Sequence, residues 1–252
     1  MSGIVDMLGN AGDPAEKRSV CSGIILAQVT NIKDPQNLGR VKCAYITSGD
    51  EARETGWIHC ITPFGGSGYG SFFHPNTGDI VALAYENGDI HRPFVIGSLW
   101  VKDVDPPVTV EDGKNEEYSL TTPNKSYVSF TDTKDKEKLT VSTPKKRTVI
   151  LDDENQIIQI SDESNTLSLN GKSGEVELTC DKKLTIKVGS GVTVTCDGTS
   201  GAVEIKANKE LKLSAPQISL SASGTAEISG SGSVTVKSSG AMTIKGSITK
   251  IN

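Results

Sequence analysis

From Leu139 onward the sequence carries aliphatic pairs spaced i, i+2 that recur about every eight residues. The first are Leu139/Val141, Val149/Leu151, Ile158/Ile160, Leu167/Leu169, Val176/Leu178, Leu184/Ile186 and Val192/Val194. They continue as Val203/Ile205, Leu211/Leu213, Ile218/Leu220, Ala226/Ile228, Val234/Val236 and Met242/Ile244. Successive pairs are offset by 10, 9, 9, 9, 8, 8, 11, 8, 7, 8, 8 and 8 residues, so the repeat regularises toward the C-terminus. A separation of two places both side chains on one face of a strand. Thr185, Lys187, Thr193, Glu204, Lys212, Thr235 and Lys245 then face the other way, into water, with Gly, Ser, Asn and Asp at the corners. Two inward side chains per strand cannot build a core within one strand pair. Fixed-period self-similarity predicts a stacked architecture, one strand and one corner per octad and three octads per circuit of a triangular prism.

Such a prism closes in one of two ways. One chain can coil alone, or three chains can wind together with each supplying one side per layer. Both bury the same side chains, so burial energy does not choose between them. At roughly 4.8 Å per strand layer, the octads coiled alone climb about 20 Å, whereas three intertwined chains climb roughly 60 Å. A lone coil also needs polar caps at both ends. Here a Pro106-Pro107 linker feeds the repeat and the sequence ends inside it. The sequence favours a homotrimer whose core is made by these pairs.

All twelve aromatic residues lie between Tyr45 and Phe130, which marks a boundary in composition. Ahead of it, "GIILAQVTNI", "GRVKCAYI", "WIHCITPF", "GDIVALAYE" and "HRPFVIGSLW" are runs of strand length separated by turn compositions. Asn87-Gly88 is a tight-turn signal. Five short strands without helical periodicity predict a nearly closed barrel of the five-stranded OB type. The reading is therefore all-β: a tail over 1–19, an OB-type barrel over 20–100, a linker over 101–115 and a triple-stranded intertwined β-helix, or β-prism, over 116–252. Within the last, "YSLTTP" and "SYVSFTD" read as two irregular strands ahead of the octads. The tail reads as a frayed terminus or a short amphipathic turn.

Charge and cysteines narrow the function classes. Residues 1–130 hold 10 Lys+Arg against 16 Asp+Glu, net −6, and residues 131–252 hold 16 against 15, net +1. Neither half offers the basic surface that phosphate neutralisation requires, so no nucleic-acid partner is expected. Cys21, Cys43, Cys60, Cys180 and Cys196 show no zinc spacing and fit buried thiols in a chain made in a reducing cytosol. No signal peptide and no 18-residue apolar stretch is present, so departure from a cell by the usual secretory route is not expected.

Candidate chemistry is sparse, and neither a catalytic residue, a cofactor nor a metal is expected. "GGSGYG" at 65–70 lacks Gly-Lys-Ser/Thr and reads as a barrel loop. His59, His74 and His91 lie on separate elements. Asp152-Asp153-Glu154 and Asp162-Glu163 read as solvated corners, because sugar sites need aromatic platforms and the prism offers none. Cys180 and Cys196 continue the inward alternation of "VELTC" and "VTVTC", and Lys145-Lys146-Arg147 is a solvated corner.

Asp34-Pro35 with Leu38-Gly39-Arg40-Val41, Trp57, Gly68-Tyr69-Gly70, Gly78-Asp79, Gly88-Asp89, Arg92-Pro93 and Gly97-Ser98 resemble the OB domain of contractile-tail spike proteins. That family comprises the phage baseplate assembly protein V type and the valine-glycine repeat (VgrG) spikes of type VI secretion. The stretch from "TPNKSYVSF" onward resembles the intertwined prism of the same spikes. The resemblance implies a non-enzymatic, membrane-puncturing homotrimer at the centre of a baseplate, in a virion or phage-tail-like particle, acting on a target cell envelope. Only about 20 residues precede the barrel, so the hub is expected as a separate polypeptide. A PAAR-type tip protein is expected to cover Ile248, Ile251 and Asn252, whose open strand edges are otherwise an aggregation liability. An OB-fold binder of single-stranded nucleic acid with a stabilising β-solenoid tail is the alternative. A trimeric polysaccharide depolymerase is the weaker third.

Overall fold

The computed structural model describes residues 23–46 and 53–250. The tail over 1–19, Cys21, Ile251 and Asn252 lie outside these residues. The described chain is all-β, its only helical element being a three-residue 3-10 turn at Glu86–Gly88.

Five strands build the first body: β1 (Ile25–Asn31), β2 (Arg40–Tyr45), β3 (Ile58–His59), β6 (Ile80–Tyr85) and β7 (Pro93–Ser98). A small hairpin, β4 (Gly65–Gly66) and β5 (Tyr69–Gly70), intervenes. The five-stranded sheet has the order β3-β2-β1-β6-β7. Its outer strands meet through a parallel bridge between Cys60 and Val95, and the Ile61 N–H donates to the Val95 carbonyl at 2.8 Å. That contact curls the sheet into a nearly closed barrel. Register shifts between Val29 and Asn31 and between Ala82 and Leu83 supply the bends that closure needs.

Period-two alternation decides what enters the barrel. Ala27, Val29, Val41, Cys43, Ile58, Val81, Leu83 and Val95 form the core, with Tyr45 and Cys60 packed against it. Each fully buried Val or Leu stabilises the barrel by roughly 1.5–3 kcal/mol, an upper estimate. Asn87 and Gly88 both take left-handed φ, at 52° and 76°, so the turn signal holds. The connection is longer than a two-residue hairpin, however, since β7 resumes only at Pro93.

No strand lies between Ser98 and Glu117. Beyond it β8 (Glu117–Thr121), β9 (Tyr127–Thr131), β10 (Lys138–Ser142), β11 (Thr148–Asp152), β12 (Ile157–Ser161), β13 (Asn165–Asn170) and β14 (Glu175–Cys180) form a seven-stranded meander in sequence order. Where register is defined, from β8 to β13, every pairing is antiparallel. Within the single chain, successive octads thus fold back on one another as hairpins. They do not coil as a solitary solenoid, and these later strands fit a β-prism. The corners explain this: Lys125, Asp135, Lys146 and Gln156 all take left-handed φ between 52° and 66°. "TPNK" and "TPKK" build matching turns, with the Lys125 N–H bonded to the Thr122 carbonyl and the Lys146 N–H to that of Thr143.

The chain divides into two compact units between Leu178 and Thr179. In the second, β15 (Lys183–Val188), β16 (Val192–Asp197) and β17 (Ala202–Ala207) make a three-stranded antiparallel meander. Residues 208–250 contain no strand and are exposed throughout. Among the described residues, none from 209 to 250 makes a backbone-to-backbone hydrogen bond.

Candidate functional site

The octad pairs converge in two cross-strand rows on one face of the seven-stranded sheet. Leu139 faces Leu151, Leu151 faces Ile158, and Ile158 faces Leu169. Val141 faces Val149, Val149 faces Ile160, and Ile160 faces Leu167. The rows begin earlier than the octad pattern indicated. Tyr118 and Phe130 head the first and Leu120 and Val128 the second. The prism sheet therefore does carry aromatic rings, on its first two strands. An i, i+2 spacing was already present in "YSL" and "VSF", but the irregular loops between them hid the period.

This face is open. Leu120, Phe130, Val141, Val149, Leu151, Ile158, Ile160 and Leu169 are all exposed, Ile160 by 52%. Leu139 and Leu167 are half-buried. Val141, Val149, Ile160, Leu167 and Leu178 line a groove of about 520 Å³ on it. The opposite face closes over itself through short polar contacts: the Thr148 and Ser161 hydroxyls lie 2.7 Å apart and the Lys138 ammonium reaches Asp152 at 2.7 Å. Among the described residues nothing covers the apolar face.

Asp152 departs from its reading as a solvated corner. It is buried, accepts from the Lys138 ammonium and caps the turn through the Asn155 N–H at 2.9 Å. Lys138, then that N–H, pull its carboxyl down to about 2. Asp162 also caps its corner, accepting from the N–H groups of Ser164 and Asn165, which lower its pKa.

In the second unit the pairs share a face again. Leu184, Cys196 and Val203 form one row, and Ile186, Val194 and Ile205 the next, with Val192 on the same side as Val194. Cys196 thus occupies the apolar face, as the alternation requires, and Cys180 is half-buried on β14. Val176 on β14 is exposed. Leu211, Leu213, Ile218, Leu220, Val234, Val236, Met242, Ile244 and Ile248 lie on the strand-free stretch, all largely exposed.

The barrel carries a second conspicuous surface. Asp34 is buried and organises the turn after β1: its carboxylate accepts from the N–H groups of Gln36 and Leu38 and from two nitrogens of the Arg40 guanidinium, at 3.0 and 2.7 Å. Arg40 above all, aided by those N–H groups, holds the Asp34 carboxyl well below the usual carboxylate range. This gives the Asp-Pro…Gly-Arg-Val motif a structural role. The turn in turn holds a hairpin, because a His74 ring nitrogen lies 3.1 Å from the Gly39 carbonyl and the Phe72 ring stacks on His74. A groove of about 810 Å³ runs along this hairpin, lined by Leu38, Phe64, Tyr69, Phe72 and Phe73 among others.

The remaining candidates stay apart. Burial pushes the Cys43 thiol up to about 11 and raises that of Cys60, which leaves both protonated and unreactive. His59 pairs in register with Arg40, while the His91 N–H bonds to Asp89. Among the described residues no three His, Cys, Asp or Glu side chains gather in a metal-ligating cluster. No helix among them is long and apolar enough to cross a membrane.

No curated protein matches the chain. The sequence model of the family described as type VI secretion system/phage-baseplate injector OB domain matches residues 25–100, the span from the first residue of β1 to just past the end of β7. Barrel topology, motif turn and family match coincide on the same residues, so residues 25–100 are similar to the OB domain of type VI secretion system and phage-baseplate injectors.

Proposed function

We propose that the protein is the central, membrane-puncturing spike of a contractile tail or tail-like particle, acting mechanically rather than as an enzyme. In this reading it is a homotrimer docked to a separate hub protein. A PAAR-type protein contacts Ile248, Ile251 and Asn252 at the tip, and the target is a cell envelope.

One observation carries the reading: a large set of aliphatic side chains lies on a face that nothing among the described residues covers. Three such sheets turned toward a common axis bury those rows, at about 1.5–3 kcal/mol per side chain as an upper estimate. Residues 209–250 add a backbone argument. Their N–H and C=O groups have no backbone partners among the described residues, and in this reading strands from two further copies supply them. A rod so made resists axial load, because no strand leaves it without breaking contacts to two neighbours.

The purified protein is expected to be trimeric by light scattering and to remain so in SDS without boiling. Its amides between 209 and 250 are expected to exchange slowly. A monomer in mild buffer overturns the proposal. The exposed rings on the barrel hairpin favour the single-strand-binding alternative, since bases stack on such platforms. Thr55 to Gly78, however, contains no Lys or Arg to hold a phosphate backbone. A salt-dependent gel shift would decide for that alternative.

A further inference from the structure

A meander turns alternately at one end of its strands and then the other, so the corners of the seven-stranded sheet fall on two edges. The first edge carries 122–126, 143–147 and 162–164, and the second carries 132–137, 153–156 and 171–174. Charge divides between them: 4 basic against 2 acidic residues at the first edge, 3 against 5 at the second. The charged strand ends, Glu117, Lys138, Asp152 and Glu175, also lie at the second. Period-two alternation carries the apolar face into these corners. Asp132 stands two past Phe130, Glu137 two before Leu139 and Asp153 two past Leu151, so three carboxylates border the first row. They rim a recess of about 470 Å³ floored by Tyr118, Phe130, Leu139 and Leu151. The Lys138 ammonium at the same recess is tied to Asp152 at 2.7 Å. Among the described residues the three carboxylates make no ion pair and form no metal-ligating cluster. At the first edge Arg147 stands two before Val149 and lines the apolar groove beside it. It is exposed, and its charge lowers the Asp162 pKa without an ion pair closer than 4 Å.

We infer that the Arg147 guanidinium of one copy enters the acidic recess of the next, in a ring of copies that all point the same way. The inference rests on the trimer reading and adds the residues that join each copy to its neighbour. Height selects a second copy as the occupant. Corner 143–147 joins β10 to β11, and the recess lies between the corner before β10 and the corner after β11. Copies related by rotation about a common axis keep equal heights, so the basic corner of one arrives level with the recess of its neighbour. The chain's own Arg147 cannot fill it, because β11 holds Arg147 and Asp153 roughly 20 Å apart, six residues at about 3.4 Å each. Salt screens the attraction at that range. Carboxylates around a floor of rings suit a planar guanidinium, which pairs at its edge and stacks on its face. Contact of first edge with second is head-to-tail, the kind that closes into a ring.

The test is a disulfide between Arg147→Cys and Asp153→Cys in the full-length protein, with assembly read by light scattering before oxidation. Within one chain these positions lie far beyond the ~7 Å Cα separation a disulfide spans, so a bond between them joins copies. After mild oxidation the double variant is expected to run as a covalent trimer on a boiled, non-reducing gel, while the wild type and each single variant run as single chains. Trimers without cross-linking above wild type overturn the inference and leave the trimer reading intact. Cross-linked pairs from Arg147→Cys alone set like edges together and also overturn it. Charge exchange is an independent check. Arg147→Glu is expected to lower the dissociation temperature of the trimer by about 2–4 °C, and adding Asp153→Arg to restore at least half of that loss. Losses that simply add overturn the inference. A monomer overturns both readings.

Discussion

Leu83 in the barrel and Ile160 in the repeat sit on strands of similar length, each with antiparallel neighbours on both sides. Leu83 is wholly buried and Ile160 is 52% exposed. Hydrophobicity and local pairing do not separate the two. What separates them is whether the sheet curls back to face itself. The barrel does, through the Cys60–Val95 bridge, and so makes its interior within one chain. The seven-stranded meander lengthens by adding hairpins at its edge, which never places one strand opposite another across its apolar face. A sequence can therefore specify strands completely and still leave the apolar face of their sheet uncovered among the described residues.

The largest effect should come from charging the uncovered face. Ile160→Asp leaves the barrel folded, because Ile160 touches none of its core, but places three carboxylates in the proposed trimer interior. Lost burial and desolvation across three copies amount to about 10 kcal/mol or more per assembly. Sedimentation is expected to show the mass falling to one chain while the barrel's thermal transition survives. A trimer of unchanged stability would erase the distinction between the two regions.

Leu83→Ala probes the other side of the comparison. It removes a fully buried side chain from a closed core and should cost the barrel about 2–5 kcal/mol. The barrel's melting should shift by the same amount at any protein concentration, whereas melting of the repeat should depend on concentration. If both transitions depend on concentration equally, the barrel does not make its core alone.

Acid sharpens the contrast more gently. Asp152 ties two strands of the repeat sheet through Lys138, and its carboxyl is drawn down to about 2 from an unfolded value near 3.9. A group depressed in the folded state contributes stability that is present above the unfolded value. That contribution fades as pH falls through the folded one. The repeat should therefore lose stability between about pH 4 and pH 2, and Asp152→Asn should flatten that slope. The barrel's counterpart, Asp34, is held lower still, by Arg40 first, so its share should be lost at more acid pH. Circular dichroism of wild type and variant across this window checks the order.

Much of this was legible in the sequence. The five barrel strands follow directly from alternation, since Val29, Val41, Cys43, Val81 and Leu83 are inward positions in runs bounded by turn residues. The octad pairs likewise identified the members of the two rows from Leu139 to Leu169, but not Tyr118, Leu120, Val128 and Phe130 at their head. What the period could not convey was direction. Spacing i, i+2 fixes the face of a strand but not whether the next strand returns beside it, and that depends on corners where Lys125, Lys146 and Gln156 adopt a left-handed backbone without glycine. Nor did composition reveal Asp152 as buried, because its cover comes from the cross-strand position of Lys138. The aromatic hairpin was read as a glycine-rich loop. Its missing charges were visible, but its outward rings depend on a scaffold that only three dimensions supply.

Those corners permit the finest test. Lys125 and Lys146 hold left-handed φ of 63° and 52° in matching Thr-Pro turns. An L-residue there costs about 1–2 kcal/mol relative to its preferred backbone, and glycine removes that strain at an entropic cost of about 0.5–1 kcal/mol. Lys146→Gly should thus stabilise the repeat by about 0.5 kcal/mol per copy, and Lys125→Gly by a similar amount. Both should leave the barrel's transition unmoved, since neither residue lies within it. A destabilised repeat would mean that the hairpin corners are remade when copies assemble, and that the meander seen in one chain is not the arrangement of the finished prism.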